Sequence, residues 1–235
     1  MAGGKGTRLG PYTASFPKPL MPLGDGMPVL ELLLRQLKAS GITEVFLAVN
    51  HLHHLLRAYF GEGEKLGLHI RYSLEDKPLG TAGPLAAVLE EVGDTFFVTN
   101  GDLLTSLDFT AMLREHRRRG SDATVASHWR EVKIDFGLLE TNAEMRMTGY
   151  REKPTFQHLV SMGLYILQRE AVAPYLRPNT HLDMPDLMRA MVADGRKVHC
   201  HAPDCFWLDI GRPDDYAAAQ EIFARDRETF LRNAA

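Results

Sequence analysis

The chain reads as a Rossmann-like α/β fold, a doubly wound and mainly parallel mixed sheet. Three observations point there. Apolar strands and amphipathic helices alternate through the first half. The N-terminal residues form a glycine-rich run. Carboxylates stand at the ends of predicted strands, where ligands bind in such sheets. With 235 residues and 45% hydrophobic content, the chain is long enough to bury a sizeable core.

Leu30, Leu33, Leu34 and Leu37 recur at helical spacing, and Gly41 closes that helix. Residues 44–49 read as a buried strand, followed by a helical stretch ending near Phe60 and Gly61. Residues 69–72 form the next strand, 82–92 a helix, and 95–99 a short apolar strand running into Asn100-Gly101-Asp102. A helix over 109–119 ends in Arg117-Arg118-Arg119, cations that complement the carbonyl end of its dipole. Strands then dominate: 123–129, 136–140, 145–150 and 160–167. A helix over 184–193, a strand over 197–201 and a charged helix over 213–231 complete the chain. On that last helix Tyr216, Ala219, Ile222 and Phe223 share a face, which serves packing or a contact between two copies of the chain. No repeat or linker interrupts the series, so residues 1–235 form one domain. It divides into an alternating half, 1–120, and a strand-rich half, 121–235.

Net charge is −3 and the sequence pI is near 6.4, which gives no sign of a nucleic-acid or anionic-membrane partner. No apolar run approaches the ~20 residues of a bilayer span. The two cysteines, Cys200 and Cys205, are no disulfide framework, and a cytoplasmic protein is expected. His199 and His201 share one face of a strand while Cys200 points the other way. A zinc site with Cys205, or with His51, His53 and His54, is therefore set aside. A hydrolase of the Gly-x-Ser-x-Gly kind lacks its motif.

The run Gly3-Gly4-Lys5-Gly6-Thr7-Arg8-Leu9 lets backbone N–H groups approach a phosphate closely, and Arg8 adds a fork of donors. Its spacing fits neither the P-loop nor the dinucleotide fingerprint. Taken alone it is also compatible with a simple tight connection. Phe16-Pro17-Lys18-Pro19-Leu20 then presents Lys18 from a stiff, proline-flanked segment beside that cradle. The two together resemble the sugar-1-phosphate nucleotidyltransferases, or nucleotide-sugar pyrophosphorylases. Pro78-Leu79-Gly80-Thr81-Ala82-Gly83 is similar to the mannose-1-phosphate guanylyltransferase branch in particular.

That resemblance implies a reaction between a nucleoside triphosphate and a sugar 1-phosphate, giving a nucleotide-sugar and pyrophosphate. GDP-mannose-type transfer is the leading expectation. Thymidylyl, cytidylyl or uridylyl transfer to glucose 1-phosphate, or a non-catalytic homologue that only binds nucleotide-sugar, is the alternative. It implies Arg8 and Lys18 as catalytic groups, and Gly3, Gly4, Gly6 and Thr7 around the triphosphate. Leu79, Gly80 and Thr81 hold the base, though the same segment is also a plain helix cap. It implies Mg2+ on Asp102 and Asp209, each of which alone reads as a turn residue or cap. Gly137, Glu152, Lys153 and Ser161 fall on the sugar phosphate, where Glu152-Lys153 alone would read as a solvated pair. Ser161-Met162-Gly163 departs from the Asn-Ala-Gly that many members carry, which bears on sugar identity. A homodimer is compatible with the pattern. In this family an apolar strand precedes the glycine loop, whereas only Met1 and Ala2 precede Gly3. A missing first strand, from a misassigned start or a fragment, is the expectation.

Overall fold

The structure, a computed structural model, describes residues 1–3, 9, 16–50 and 52–231. A 3-10 turn over Lys18–Leu20 leads into a small hairpin, β1 (Pro22–Leu23) and β2 (Met27–Pro28). Helix α1 (Val29–Ala39) follows, and Gly41, at φ +89°, ends it as expected. Then come β3 (Glu44–Val49), α2 (His53–Phe60), β4 (His69–Leu74), α3 (Leu85–Val88), β5 (Thr95–Thr99) and β6 (Leu103–Thr105). Helix α4 (Phe109–Arg119) starts where the Asp108 carboxylate accepts from the Ala111 amide at 2.8 Å, and stops at Gly120. The second half runs β7 (Ala123–Lys133), β8 (Leu138–Thr141), β9 (Met147–Arg151), β10 (Thr155–Gln168), α5 (Arg169–Val172), α6 (Met184–Ala193), β11 (Val198–His201), β12 (Trp207–Asp209) and α7 (Pro213–Leu231).

The central sheet is mixed. Strand order β11-β7-β10-β5 forms one part and β3-β4 another. Parallel pairing joins β3 to β4 and β11 to β7, whereas β10 runs antiparallel to both β5 and β7. The second half therefore carries more antiparallel pairing than strand–helix alternation suggests. Side chains alternate between two cores. Met162, Leu164 and Ile166 of β10 pack with α1 and α4 on one face, and Tyr165 and Leu167 with α6 on the other. Both faces are thus covered, which is the doubly wound arrangement.

Helix 82–92 shortens to α3. The amides of Ala82 and Gly83 are taken by Leu182 O at 2.8 and 2.9 Å, so the first expected turn is tied to another segment. The face of α7 bearing Ala219 and Phe223 is buried against Leu23, Val29 and Leu32. Packing, rather than a contact between copies, accounts for it. Tyr216 and Gln220 donate to Pro22 O, each at 2.7 Å, and Gly24 donates to Gln220 Oε1 at 2.8 Å, so α7 clamps the β1–β2 hairpin.

Between β3 and β5, among the described residues, no strand is assigned. Met1 and Ala2 bridge the two strands at their carboxyl ends. Ala2 N donates to Ala48 O at 2.9 Å, Met1 N to Thr99 O at 2.8 Å, and Gly101 N to Met1 O at 2.9 Å. The rest of that space is a cavity of about 310 Å3, lined by Leu33, Leu37, Val45, Leu47, Phe97 and Val88 among others.

Candidate active site

Lys18 is held by its own stiff segment. Pro17 is extended, at φ −68° and ψ 133°, and its carbonyl accepts from Leu20 N at 2.9 Å, turning the chain at once. The Lys18 residue is only 9% exposed. A buried ammonium needs a partner, and Lys18 Nζ is ion-paired and hydrogen-bonded to Asp102 Oδ2, with Asp209 Oδ1 3.9 Å away.

The two aspartates meet because short strands bring them together. Asp102 leaves β5 through Asn100, whose amide donates to Gly163 O at 3.0 Å. Strand β12 pairs antiparallel with β6 in a register that sets Asp209 opposite Leu103, and Ile210 N donates to Asp102 O at 3.1 Å. Among the described residues Asp102 Oδ1 is the buried side-chain oxygen with no hydrogen-bond partner. A buried, unpartnered carboxylate oxygen is costly. A hard divalent cation such as Mg2+, which takes oxygen ligands and retains waters, would satisfy it. The donor set fits that ion.

The expected base segment is braced from a distance. Gly80 sits at φ +79°, and a Cβ there would stand 2.6 Å from Leu182 O. Thr81 N donates to Asp183 Oδ1 at 3.1 Å, and Met184 N to Thr81 Oγ1 at 2.7 Å. Leu79 N donates to Glu75 Oε2 at 3.1 Å and its carbonyl accepts from Leu182 N at 3.0 Å. The Thr81, Ala82 and Gly83 amides are therefore spent inside the protein, which fixes the shape of the loop. Sequence reasoning missed Asp183, because a contact across 102 residues leaves no local signal.

The expected sugar-side residues lie elsewhere. Gly137 precedes β8, while Glu152 and Lys153 follow β9, with Lys153 at φ +42°. Phe136 beside them is 79% exposed. Tyr150, which sequence reasoning also missed, donates its hydroxyl to Glu152 Oε2 at 2.7 Å. Its position two residues before Glu152 on a strand is the signal that could have found it. Ser161 stands at a bulge in β10 with its hydroxyl 3.0 Å from that of Tyr165, and Trp207 Nε1 donates to Met162 O at 3.0 Å. Of the glycine loop, Gly3 lies against Asn50 and Leu9 is fully buried. Gly4, Gly6, Thr7 and Arg8, like His51, lie outside the described residues.

A doubly wound α/β domain with a lysine and two aspartates at the carboxyl edge of its sheet is a nucleotide- or phosphate-handling architecture. The chain belongs to the nucleotidyl transferase family, whose profile matches residues 1–226. It is 35% identical over 231 residues to a mannose-1-phosphate guanylyltransferase of Mycobacterium tuberculosis, covering 96% of this chain and 64% of that protein. It is 32% identical over 246 residues to a UTP–glucose-1-phosphate uridylyltransferase of Synechocystis, covering 96% of this chain and 63% of the relative. The chain thus spans just under two thirds of the length of these relatives. The crystal structure of HddC from Yersinia pseudotuberculosis has the same fold at a TM-score of 0.71 and 23% identity, with 94% of this chain and 96% of that one covered. Among the described residues, no helix is long and apolar enough to cross a membrane.

Proposed function

We propose that this chain is a sugar-1-phosphate nucleotidyltransferase, which joins a nucleoside triphosphate to a sugar 1-phosphate and releases pyrophosphate. The observation that carries this reading is the convergence of buried Lys18 with Asp102 and Asp209, with Asp102 Oδ1 left without a partner. A phosphate oxygen of the sugar 1-phosphate attacks the α-phosphorus in line, and pyrophosphate leaves. Both reactants are anions, so the protein's task is positioning and charge neutralisation.

Arg8 and the amides of Gly3, Gly4, Gly6 and Thr7 hold the triphosphate. Lys18 stands beside the transferred and leaving phosphates, and exchanges its bond to Asp102 for phosphate oxygens when substrate arrives. Leu79, Gly80 and Thr81 shape the base site. Gly137, Glu152, Lys153 and Ser161 receive the sugar phosphate, with Lys153 on its charge. Mg2+ held by Asp102 and Asp209 supplies further neutralisation of the phosphate charge. No protein base is required, because a phosphate monoester is already ionised near neutral pH. Residues 1–120 handle the nucleotide and 121–235 the sugar phosphate, although Asp183 and Asp209 reach across from the second part. The protein is placed in the cytoplasm, acting on small molecules and not on nucleic acid or membrane, and a homodimer is compatible with this reading.

The GDP-mannose type is favoured, supported by relatives named as mannose-1-phosphate guanylyltransferases from several organisms. The uridylyltransferase relative keeps glucose 1-phosphate as the second reading. Pyrophosphate release across the common triphosphates and hexose 1-phosphates tests the proposal, with GTP and mannose 1-phosphate expected to be fastest. In Asp102→Ala the rate is expected to fall about 10²–10³-fold. A near-normal rate in that variant would sink the assignment, and binding without release in every combination would favour a non-catalytic homologue.

A further inference from the structure

The sugar-side hairpin contains a contact that the family motif does not require. β8 and β9 pair with Leu138 opposite Arg151 and Leu139 opposite Tyr150. Extending that register by one residue sets Gly137 across from Glu152. Gly137, Tyr150 and Glu152 therefore address one face of the hairpin. The Tyr150 ring lies diagonally over the bare glycine. A Cβ at Gly137 would stand 2.1 Å from the phenol oxygen and 2.5 Å from Cζ. Gly137 has no positive φ, so its backbone would accept any residue. What the position demands is space, and the ring fills it.

From there the hydroxyl donates to Glu152 Oε2 at 2.7 Å. That bond, more than burial, raises the pKa of the phenol, so it remains a donor throughout the neutral range. Tyr150 is 55% exposed and Glu152 is exposed too. A bond in such a place adds little to stability. It does order a carboxylate that would otherwise sample several rotamers in water.

We propose that Tyr150 is a positioning residue for the sugar end of the site. It commits one oxygen of Glu152 so that the other, Oε1, is presented to a hydroxyl of the hexose 1-phosphate, and the missing side chain of Gly137 leaves room for the tyrosine ring. The inference rests on the transferase reading above. Under it, Tyr150→Phe keeps the ring over Gly137 but lets the carboxylate turn. Gly137→Ala reaches the same end by expelling the ring.

The test compares the parent protein with Tyr150→Phe, Gly137→Ala and the double variant. Steady-state pyrophosphate release is measured alongside calorimetric titration with mannose 1-phosphate and with glucose 1-phosphate. Tyr150→Phe is expected to raise KM and Kd for the sugar 1-phosphate about five- to tenfold. Its kcat, its KM for the triphosphate and its melting temperature stay near the parent values. Gly137→Ala should show a similar rise, and the double variant should be no worse than either single one. Unchanged sugar-phosphate affinity in Tyr150→Phe overturns the inference. So does additivity in the double variant, which would mean that the two changes act independently and not through the orientation of Glu152. A parent that binds sugar phosphate without turnover removes the transferase reading alone, and the Kd ratios still decide the role of Tyr150. A parent that binds neither sugar phosphate removes both.

Discussion

On one side of the bulge at Ser161–Tyr165, the β7–β10 strand pair is sealed on both faces; on the other it runs out into solvent. Ile166 and Leu167 are fully buried, as are Ala123 and Thr124 opposite them, whereas Trp129 is 57% exposed and its partner Leu159 is exposed as well. Asp102, the proposed metal ligand, hangs from the sealed end, through β5 and Asn100. Gly137, Glu152 and Lys153, proposed for the sugar phosphate, hang from the free end, through the β8–β9 hairpin. A buried ion pair needs its geometry fixed before substrate arrives, because uncompensated charge there is expensive. An exposed Glu-Lys pair needs no such support and gains its value only when a ligand dries it. The same two strands thus provide a rigid base and an outlying arm, which is how scaffolds commonly divide stability from recognition.

Gly163 sits at the junction, so changing it breaks the comparison most directly. Its φ is +75° and a Cβ would stand 2.6 Å from Asn100 Nδ2. Gly163→Ala is expected to lower stability by about 2–3 kcal/mol through backbone strain. Because Asn100 leads to Asp102, the rate should fall about tenfold as well. Chemical denaturation and pyrophosphate release check the two effects, and loss of stability with full activity would show that the bulge does not position the aspartate. On the arm, Lys153→Ala should raise KM for the sugar 1-phosphate about tenfold while leaving the melting temperature within a degree or so. A large loss of stability there would contradict the division between base and arm.

The sealed end was far more legible in the sequence than the free one. Leu30, Leu33, Leu34 and Leu37 marked α1, and the helix expected over 109–119 matches α4, because helical periodicity is a local signal. The expected strands 123–129 and 160–167 matched only the buried parts of β7 and β10. Beyond residue 129 the side chains face water on both sides, so no alternation announces a strand. Strands β6 and β12 are three residues each and pair across about a hundred residues, too short and too distant for any pattern. The motifs nevertheless named Lys18, Asp102 and Asp209, which the fold brings together. They also named Gly137 and Glu152; the i,i+2 spacing of Tyr150 to Glu152 was the one local signal for Tyr150, and its contact over Gly137 depends on hairpin register.

The smallest expected effect is confined to the sealed end and depends on pH. His116 is completely buried, with Nδ1 2.8 Å from Thr124 Oγ1 and Nε2 3.0 Å from Gln168 Nε2. Gln168 Oε1 accepts from Thr95 Oγ1 at 3.1 Å, so its NH2 end faces the imidazole. An amide NH2 only donates, so with the amide in this orientation Nε2 accepts and the proton is assigned to Nδ1. A second proton on the ring would point at the amide hydrogens. Burial accordingly lowers the His116 pKa, and the Arg117 charge lowers it further, while Asp122 offsets part of this. The sign follows from linkage. A histidine whose folded pKa lies below its unfolded value stabilises the fold fully above about pH 6.5, and loses that contribution as pH falls from there. One proton limits the slope to about 1.4 kcal/mol per pH unit. His201 is shifted in the same direction by burial, so replacing His116 should reduce the slope without abolishing it. Urea unfolding of the parent and His116→Gln between pH 7.5 and 5 measures the difference. Because no bond of this network reaches the hairpin, KM for the sugar 1-phosphate should be the same in both proteins at pH 7.5; a shift there would show that the two ends of the strand pair are coupled.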